Sequence, residues 1–102
     1  RAGSGMIGFE KEVRVEVTPT QITIGTQNIL YCDSSTSAAD MKRLIVGGLN
    51  REVRSWGAPP KSFYWMPAVR FAVSPGGRPQ YERLKRIIRE WDVPSSIQNL
   101  PE

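Results

Sequence analysis

The sequence has no histidine, a single cysteine and no long apolar run. Without histidine the chain lacks the commonest general base and a common zinc ligand, so the Ser-His and Cys-His pairs of many hydrolases are excluded. One cysteine cannot form an internal disulfide, and we interpret Cys32 as a small buried apolar residue near a strand end rather than a nucleophile. The short apolar runs predict no membrane-spanning segment.

The composition that remains is typical of a small globular domain. The 102 residues are 39% hydrophobic and 24% charged, which leaves room for one core and argues against disorder. The net charge of +4 allows weak attraction to polyanions without requiring it. The chain starts at Arg1 with the Gly-rich stretch RAGSGMIG, which predicts a linker or cloning leader over residues 1–9 and one α+β domain over 10–102.

Two alternating segments near the start predict a β-hairpin. In EVRVEV, residues 12–17, valines alternate with charged residues, as in a strand with one buried face. ITIG, residues 22–25, alternates likewise after a Thr-Pro-Thr turn. NILYCD, residues 28–33, is a third short apolar run that either extends the sheet or covers it.

The period then changes to that of a helix. Ser37 is placed to cap its start, with Asp40 three residues later, and Gly57 to end it. One apolar stripe recurs at three- and four-residue steps: Met41, Leu44, Ile45, Leu49, Val53 and Trp56. Gly47 and Gly48 interrupt the helix at about 1 kcal/mol each, which predicts close approach to a sheet or to a second helix.

A strand, a turn and a second helix follow. Val69, Phe71 and Val73 alternate as in a strand, and Pro79 suits the first position of a helix. The inner stripe of that helix is predicted to contain Tyr81, Leu84, Ile87, Ile88 and Trp91, and residues 97–100 fit a last short strand. The predicted fold is an α+β two-layer sandwich, a small, mostly antiparallel sheet covered by two helices in the order β-β-(β)-α-β-α-(β).

Three consecutive aromatic residues, Phe63, Tyr64 and Trp65, precede this strand. Neighbours on an extended chain point to opposite sides, so at least one of the three is expected to be exposed or to cover an edge. We interpret the cluster as a lid on the core or a subunit contact, in preference to a platform for stacking a ligand.

Basic residues are concentrated on the second helix and its approach. They are Arg78, Arg83, Lys85, Arg86 and Arg89, and any of them could contact phosphate. Glu82 stands four residues before Arg86, and Arg86 four before Glu90, so matched ion pairs favour a solvated face over nucleic-acid binding. A nucleic-acid-binding domain using the helix at residues 79–91 remains the alternative.

The turn SPGGRP, residues 74–79, raises a separate possibility, because a Gly-rich turn that opens a helix can hold an anion on its N–H groups. It lacks the spacing of a P-loop and of a dinucleotide fingerprint, and Pro79 removes one donor. A simple reversal of the chain is the favoured interpretation. The carboxylates show no paired catalytic spacing, so we predict no enzyme, no catalytic residue, no metal site and no cofactor.

The layout from Val13 to Trp91 resembles the periplasmic domain of the ExbD/TolR family. VRVEV-TPT-QITIG resembles the family's hairpin, SAADMKRLIVGGLNREV its first helix, and AVRFAVSPGGRPQYERLKRII its strand, turn and helix, with Tyr81 at the family's tyrosine position. The stretch YWMPAVRFAVSPGGRPQYERL is also similar to C-terminal segments of uncharacterised planctomycete proteins. The chain departs from the family at Ser74–Gly77, where an aspartate is usual.

The resemblance implies a non-catalytic, membrane-tethered, dimerising module that contacts a partner protein or peptidoglycan. It implies a periplasmic location, although a single cysteine fits a cytoplasmic one equally well. The family's energy-coupling aspartate lies in a transmembrane helix, so no proton-driven step is expected of these residues. The candidate interaction residues are Phe63, Tyr64, Trp65, Arg78, Arg83, Arg86 and Arg89.

Overall fold

A computed structural model describes residues 5–101, in which five strands form one sheet with two helices packed on it. The elements are β1 Ile7–Val17, β2 Gln21–Ile24, β3 Asn28–Tyr31, α1 Ala38–Ser55, β4 Phe63–Val73, α2 Arg78–Glu90 and β5 Ser95–Asn99. The sheet order is β3-β2-β1-β4-β5. The predicted two-layer α+β sandwich and its element order are therefore confirmed. Neither described helix is long and apolar enough to cross a bilayer.

The sheet is mixed rather than mostly antiparallel. β2 pairs antiparallel with both β1 and β3, whereas β4 runs parallel to β1 and to β5. The parallel β1–β4 ladder is the longest in the sheet. The physical reason is the helices: each of α1 and α2 carries the chain back along the sheet, and such a crossover lets the next strand run parallel to its neighbour.

β1 begins earlier than the sequence pattern indicated. Its first residue is Ile7, which lies inside the segment 1–9 assigned to a leader. Residues 1–4 of that segment lie outside the described residues. Ile7 and Phe9 alternate around Gly8, but this stretch was assigned to the Gly-rich leader, and pairing with β4 is what makes these residues a strand.

The core lies between one face of the sheet and the two helices. Alternate residues of the central strands are buried, as the valine and isoleucine patterns predicted: Val13, Val15, Val17, Ile22, Ile24, Val69, Phe71 and Val73. α1 starts as expected, because the Ser37 side chain accepts a hydrogen bond from the Asp40 N–H (3.1 Å). Gly57 just after α1 has φ +76°, a conformation that glycine adopts without strain.

The inner face of α2 is buried through Tyr81, Leu84 and Ile88, as predicted. Trp91 is different, because its side chain is 41% exposed. It is the C-cap residue after Glu90, beyond the last residue of α2, so the three- and four-residue spacing of the helix no longer fixes its direction.

The packing of α1 on the sheet explains why one of the two mid-helix positions, residue 48, is glycine. A Cβ at Gly48 would overlap the Cδ1 atom of Ile24 and come within 3.4 Å of Leu30, so α1 lies on the β2–β3 hairpin at this point. A Cβ at Gly47 would meet only the side chain of Arg51, at 3.6 Å. The predicted close approach is therefore confirmed for Gly48, and Gly47 has no such contact.

These two neighbours give a matched test of the packing of α1. Gly48→Ala should lower the free energy of unfolding by about 1–3 kcal/mol, because the new methyl group overpacks a filled core. Gly47→Ala should raise it by up to about 1 kcal/mol, because alanine favours the helix and its methyl group makes only an ordinary contact with Arg51. Urea denaturation of both variants measures the difference, and equal effects at the two positions would contradict the contact with Ile24.

Candidate interaction surfaces

The aromatic run is divided between the two faces of the sheet. Phe63 and Trp65 lie on the helix side, where Phe9 stacks against both, with ring centroids 5.6 and 5.5 Å away. Trp65 also meets Trp56 of the α1 C-cap edge-on at 5.3 Å, and its Nε1–H donates to the Gly57 carbonyl (2.8 Å). Phe63 and Trp65 therefore extend the core past the end of α1.

Tyr64 lies on the opposite face of the sheet, since successive strand residues alternate. Together with Met66 it covers Gly8, where a Cβ would overlap the Met66 sulfur and lie 3.1 Å from the Tyr64 hydroxyl. The sequence missed the contribution of Phe9 to the cluster, although its alternation with Ile7 was a signal.

Two of the five predicted basic residues, Arg78 and Arg83, form polar contacts within the chain. Arg78 donates from Nε to Glu82 (3.1 Å), and its guanidinium lies over the Tyr81 ring at 5.3 Å. The pairing of Glu82 with Arg78 replaces the pairing with Arg86 expected from the sequence. The i,i+4 spacing allowed both pairs, and the side-chain directions of the folded helix selected Arg78.

Arg83 connects α2 to the loop before α1. Its guanidinium donates to the Asp33 carbonyl (3.3 Å), to the Thr36 carbonyl and to Oε1 of the buried Gln80 (3.2 Å). These bonds fix the end of β3 and the start of α1 against α2. The side chain is only partly exposed, so its geometry is that of an internal clamp.

Lys85, Arg86 and Arg89 form the remaining cationic surface, which we name the α2 basic patch. No ion pair to any of the three is formed within residues 5–101. A cleft of about 260 Å³ next to the patch is lined by Lys85 and Arg89 together with Asp92, Val93, Pro94 and Ser95. A second cleft of about 140 Å³ lies among Glu82 and the three basic residues.

The Ser74–Gly77 turn has the geometry of a tight reversal. Ser74 N–H donates to the Val17 carbonyl and Gly77 N–H to the Ser74 carbonyl, both at 2.9 Å. Gly76 has φ +84°, and a Cβ at Gly77 would lie 2.6 Å from the Val17 oxygen. The N–H groups of Ser74 and Gly77 are therefore already hydrogen-bonded within the chain, and an anion would have to compete for them.

Cys32 is buried, with 1% of its surface exposed, directly after β3. Burial raises the pKa of its thiol, although the nearby Arg83 acts in the opposite direction. Hydrogen bonds from the Ser35 hydroxyl and N–H lower the pKa of the exposed Asp33 beside it. No group of three or more His, Cys, Asp or Glu side chains within the described chain is placed to hold a metal ion.

β5 forms an exposed edge of the sheet, and all five of its residues are exposed. Val69 N–H donates to the Pro94 carbonyl and Leu100 N–H to the Val73 carbonyl, both at 2.8 Å. Since strand residues direct their backbone groups alternately to the two sides, Ser95, Ile97 and Asn99 point their N–H and C=O groups away from β4.

Comparison with known proteins adds nothing to this geometry: no family model, curated protein or solved structure matches the chain.

The clamp role of Arg83 can be separated from a role in binding. Arg83→Ala should lower the free energy of unfolding by about 1–3 kcal/mol, because two backbone carbonyls lose a charged donor. Arg86→Ala is the matched control on the same helix and should change it by less than about 0.5 kcal/mol. Thermal or urea unfolding checks both values. If Arg83→Ala leaves the free energy of unfolding unchanged, Arg83 is not a clamp and returns to the candidate binding residues.

Proposed function

We propose that this chain is a non-catalytic interaction domain that forms a homodimer through the free edge of β5. The observation that carries the proposal is the outward row of backbone groups on Ser95, Ile97 and Asn99. Unpaired N–H and C=O groups on an edge strand are a template for pairing with another chain.

The sequence of β5 suits pairing with a second copy of itself. Ser95–Asn99 contains no charged residue, so self-pairing brings no like charges together. An antiparallel arrangement with its two-fold axis at Ile97 sets Ile97 opposite its copy and Ser95 opposite Asn99. Every outward N–H of these three residues then finds a carbonyl of the partner copy.

The opposite edge of the sheet, formed by β3, has fewer outward backbone groups than β5. β3 has four residues, and the bond from Cys32 N–H to the Thr20 carbonyl (3.0 Å) indicates that only Ile29 and Tyr31 turn their backbone groups outward. Their side chains are 54% and 80% exposed, so this edge is open as well. The longer row on β5 favours β5 as the dimer contact.

The aromatic cluster is the other route to dimerisation that the sequence suggested. Trp65 contacts Trp56 and Phe9 and donates a hydrogen bond to Gly57 within the same chain. Its replacement would therefore disturb the fold, and loss of a dimer in such a variant would not identify the interface.

We further propose that this dimer is the periplasmic part of a membrane-tethered protein of the ExbD/TolR kind, contacting a partner protein or peptidoglycan. Support comes from the layout that suggested the family: a hairpin of alternating strands, a helix, a strand, a turn and a helix with Tyr81 in its first turn. A hydrophobic helix encoded ahead of Arg1 in the full reading frame would support the tether. A cytoplasmic catalytic domain there would contradict it.

The dimer contact is tested by blocking one backbone donor. Ile97→Pro removes an N–H that makes no bond to β4, so the sheet keeps its internal ladder. The symmetric dimer loses two hydrogen bonds, about 2 kcal/mol, and the dissociation constant should rise roughly thirtyfold. Analytical ultracentrifugation measures this constant, and circular dichroism confirms that the variant is folded.

Ile97→Val is the matched control, because it keeps the N–H and the β-branched side chain. It should dimerise like the unaltered chain. A chain that sediments as a monomer at all concentrations, or an Ile97→Pro variant that dimerises normally, would rule out the β5 contact.

Polyanion binding is the second candidate function, and the α2 basic patch favours it. Its three cations have no carboxylate partner within the described residues, contrary to the expected i,i+4 pairs. Glu82 and Asp92 nevertheless line the two adjoining clefts, and the excess charge of the whole chain is small. We therefore rank this function below dimerisation.

A binding assay with a single-stranded and a duplex oligonucleotide separates the two functions. The dimer proposal expects little retention at physiological salt, whether or not Lys85, Arg86 and Arg89 are changed to glutamate. Nucleic-acid binding would instead weaken steeply with salt and vanish in that triple variant. Lys42→Glu with Arg43→Glu on α1 is the charge control, and equal loss there would indicate nonspecific attraction.

A further inference from the structure

The first halves of β1 and β4 stand beyond the rest of the sheet. The two strands pair over their whole length, but β2 reaches only Val15–Val17 of β1 and β5 only Val69–Val73 of β4. Residues 7–12 and 63–68 therefore form a two-stranded parallel ribbon, about 20 Å long at roughly 3.3 Å per residue. Two-stranded sheets are marginal alone and parallel pairs usually lie inside larger sheets, so the ribbon is an incomplete sheet.

The two edges of the ribbon differ. On β4 the outward backbone groups belong to Phe63, Trp65 and Pro67, since Val69 directs its own groups to β5. Proline has no N–H, and the Phe63 N–H is used by the Pro60 carbonyl (2.9 Å), so this edge is poor in donors.

The β1 edge is open. Ile7 N–H donates to the Ser62 carbonyl (2.9 Å), whereas the Arg14 carbonyl accepts from Gly25 on the other side (2.8 Å). The alternation therefore points the N–H and C=O groups of Gly8, Glu10 and Glu12 away from β4. No strand of the described chain lies beside them.

Side chains beside this edge have opposite character on the two faces. On the helix side Ile7 and Phe9 are 58% and 43% exposed, which is unusual for large apolar residues of a central strand. On the other face lie the carboxylates of Glu10 and Glu12. Glu12 is 3.6 Å from Arg70, and Glu10 forms no ion pair within residues 5–101.

A second copy of the chain is a poor occupant of this edge. Antiparallel self-pairing centred on Glu10 would set Glu10 opposite its own copy and bring both Glu12 side chains to the same face. Like charges directly opposite each other across two strands destabilise the pair.

We propose that the β1 edge at Gly8–Glu12 accepts an extended segment of a partner protein as an additional strand, with basic and apolar side chains alternating. The backbone of the segment pairs with Gly8, Glu10 and Glu12. Its apolar side chains pack beside Phe9 on the helix side, and its basic side chains meet Glu10 and Glu12 on the other face. This site is distinct from β5 and does not depend on the dimer.

The positive net charge of the chain separates binding at this edge from general electrostatic attraction. Because the net charge is +4, a basic peptide is repelled by the molecule as a whole, and its binding requires a local site. An acidic peptide of the same pattern should be attracted overall, yet it would meet Glu10 and Glu12 at this edge.

The probes are two capped seven-residue peptides, one alternating lysine with valine and one alternating glutamate with valine. Amide hydrogen exchange of the full chain is followed by NMR with each peptide. The lysine peptide should slow exchange at Gly8, Glu10 and Glu12 at least tenfold and leave Ser95, Ile97 and Asn99 unchanged. Protection by the glutamate peptide instead, protection only at β5, or no protection would overturn the proposal.

A pair of variants tests the backbone contact. Glu10→Pro removes an outward N–H that makes no bond to β4, and should weaken binding of the lysine peptide at least tenfold. Glu10→Gln is the matched control: it keeps the N–H and should retain the protection of Gly8 and Glu12 with a smaller loss of affinity. Circular dichroism verifies that both are folded. Equal affinity of Glu10→Pro and the unaltered chain would contradict strand addition, and Ile97→Pro should leave peptide binding unchanged whatever the fate of the dimer.

Discussion

The parallel pairing of β1 with β4 is the constraint on which the rest of the structure depends. These two strands form the centre of the sheet, and their alternate residues supply most of the core from the sheet side. Parallel neighbours require a long connection, so the chain between them must leave the sheet and return. That requirement places α1 on one face of the sheet, and α2 is placed there by the same requirement between β4 and β5.

The same pairing determines which chemistry is exposed. β2 and β5 pair with only the second half of the long ladder, so its first half is left with two bare edges, and the partly exposed Phe9 lies beside one of them. The main unsatisfied groups on this surface are backbone N–H and C=O groups, at β5, β3 and the start of β1. Both contacts that we propose, at β5 and at the start of β1, would use these groups to add a strand, and the side chains beside each edge would decide which strand is accepted.

The charge of the molecule illustrates why counting residues overstates a binding surface. Of the basic residues on α2, Arg78 is paired with Glu82, and Arg83 holds the loop before α1. What remains is the α2 basic patch, beside clefts that also contain carboxylates. The two arginines serve the fold because a guanidinium can satisfy several carbonyl or carboxylate oxygens at once, which a sequence pattern does not reveal.

Local sequence patterns were sufficient to predict most of the secondary structure of this protein. The alternation of valines, the Ser37 cap, the stop at Gly57 and Pro79 at the start of α2 each follow from interactions within a few residues, so the helices, most strands and the two-layer class could be predicted. Trp91 was wrongly predicted to be buried because the spacing pattern does not show that α2 already ends at Glu90. The start of β1 was missed because residues 7–12 gain their strand structure from long-range pairing with β4, which local periodicity does not show.

The sequence by itself determined the elements and which of their faces are apolar, because those depend on local backbone preferences and on the spacing of side chains. Only the tertiary structure decided the direction of β4 and β5, the partner of Glu82, the clamp at Arg83 and the edges left unpaired. These depend on contacts between residues far apart in the chain, whose geometry is fixed only when both helices pack on the sheet.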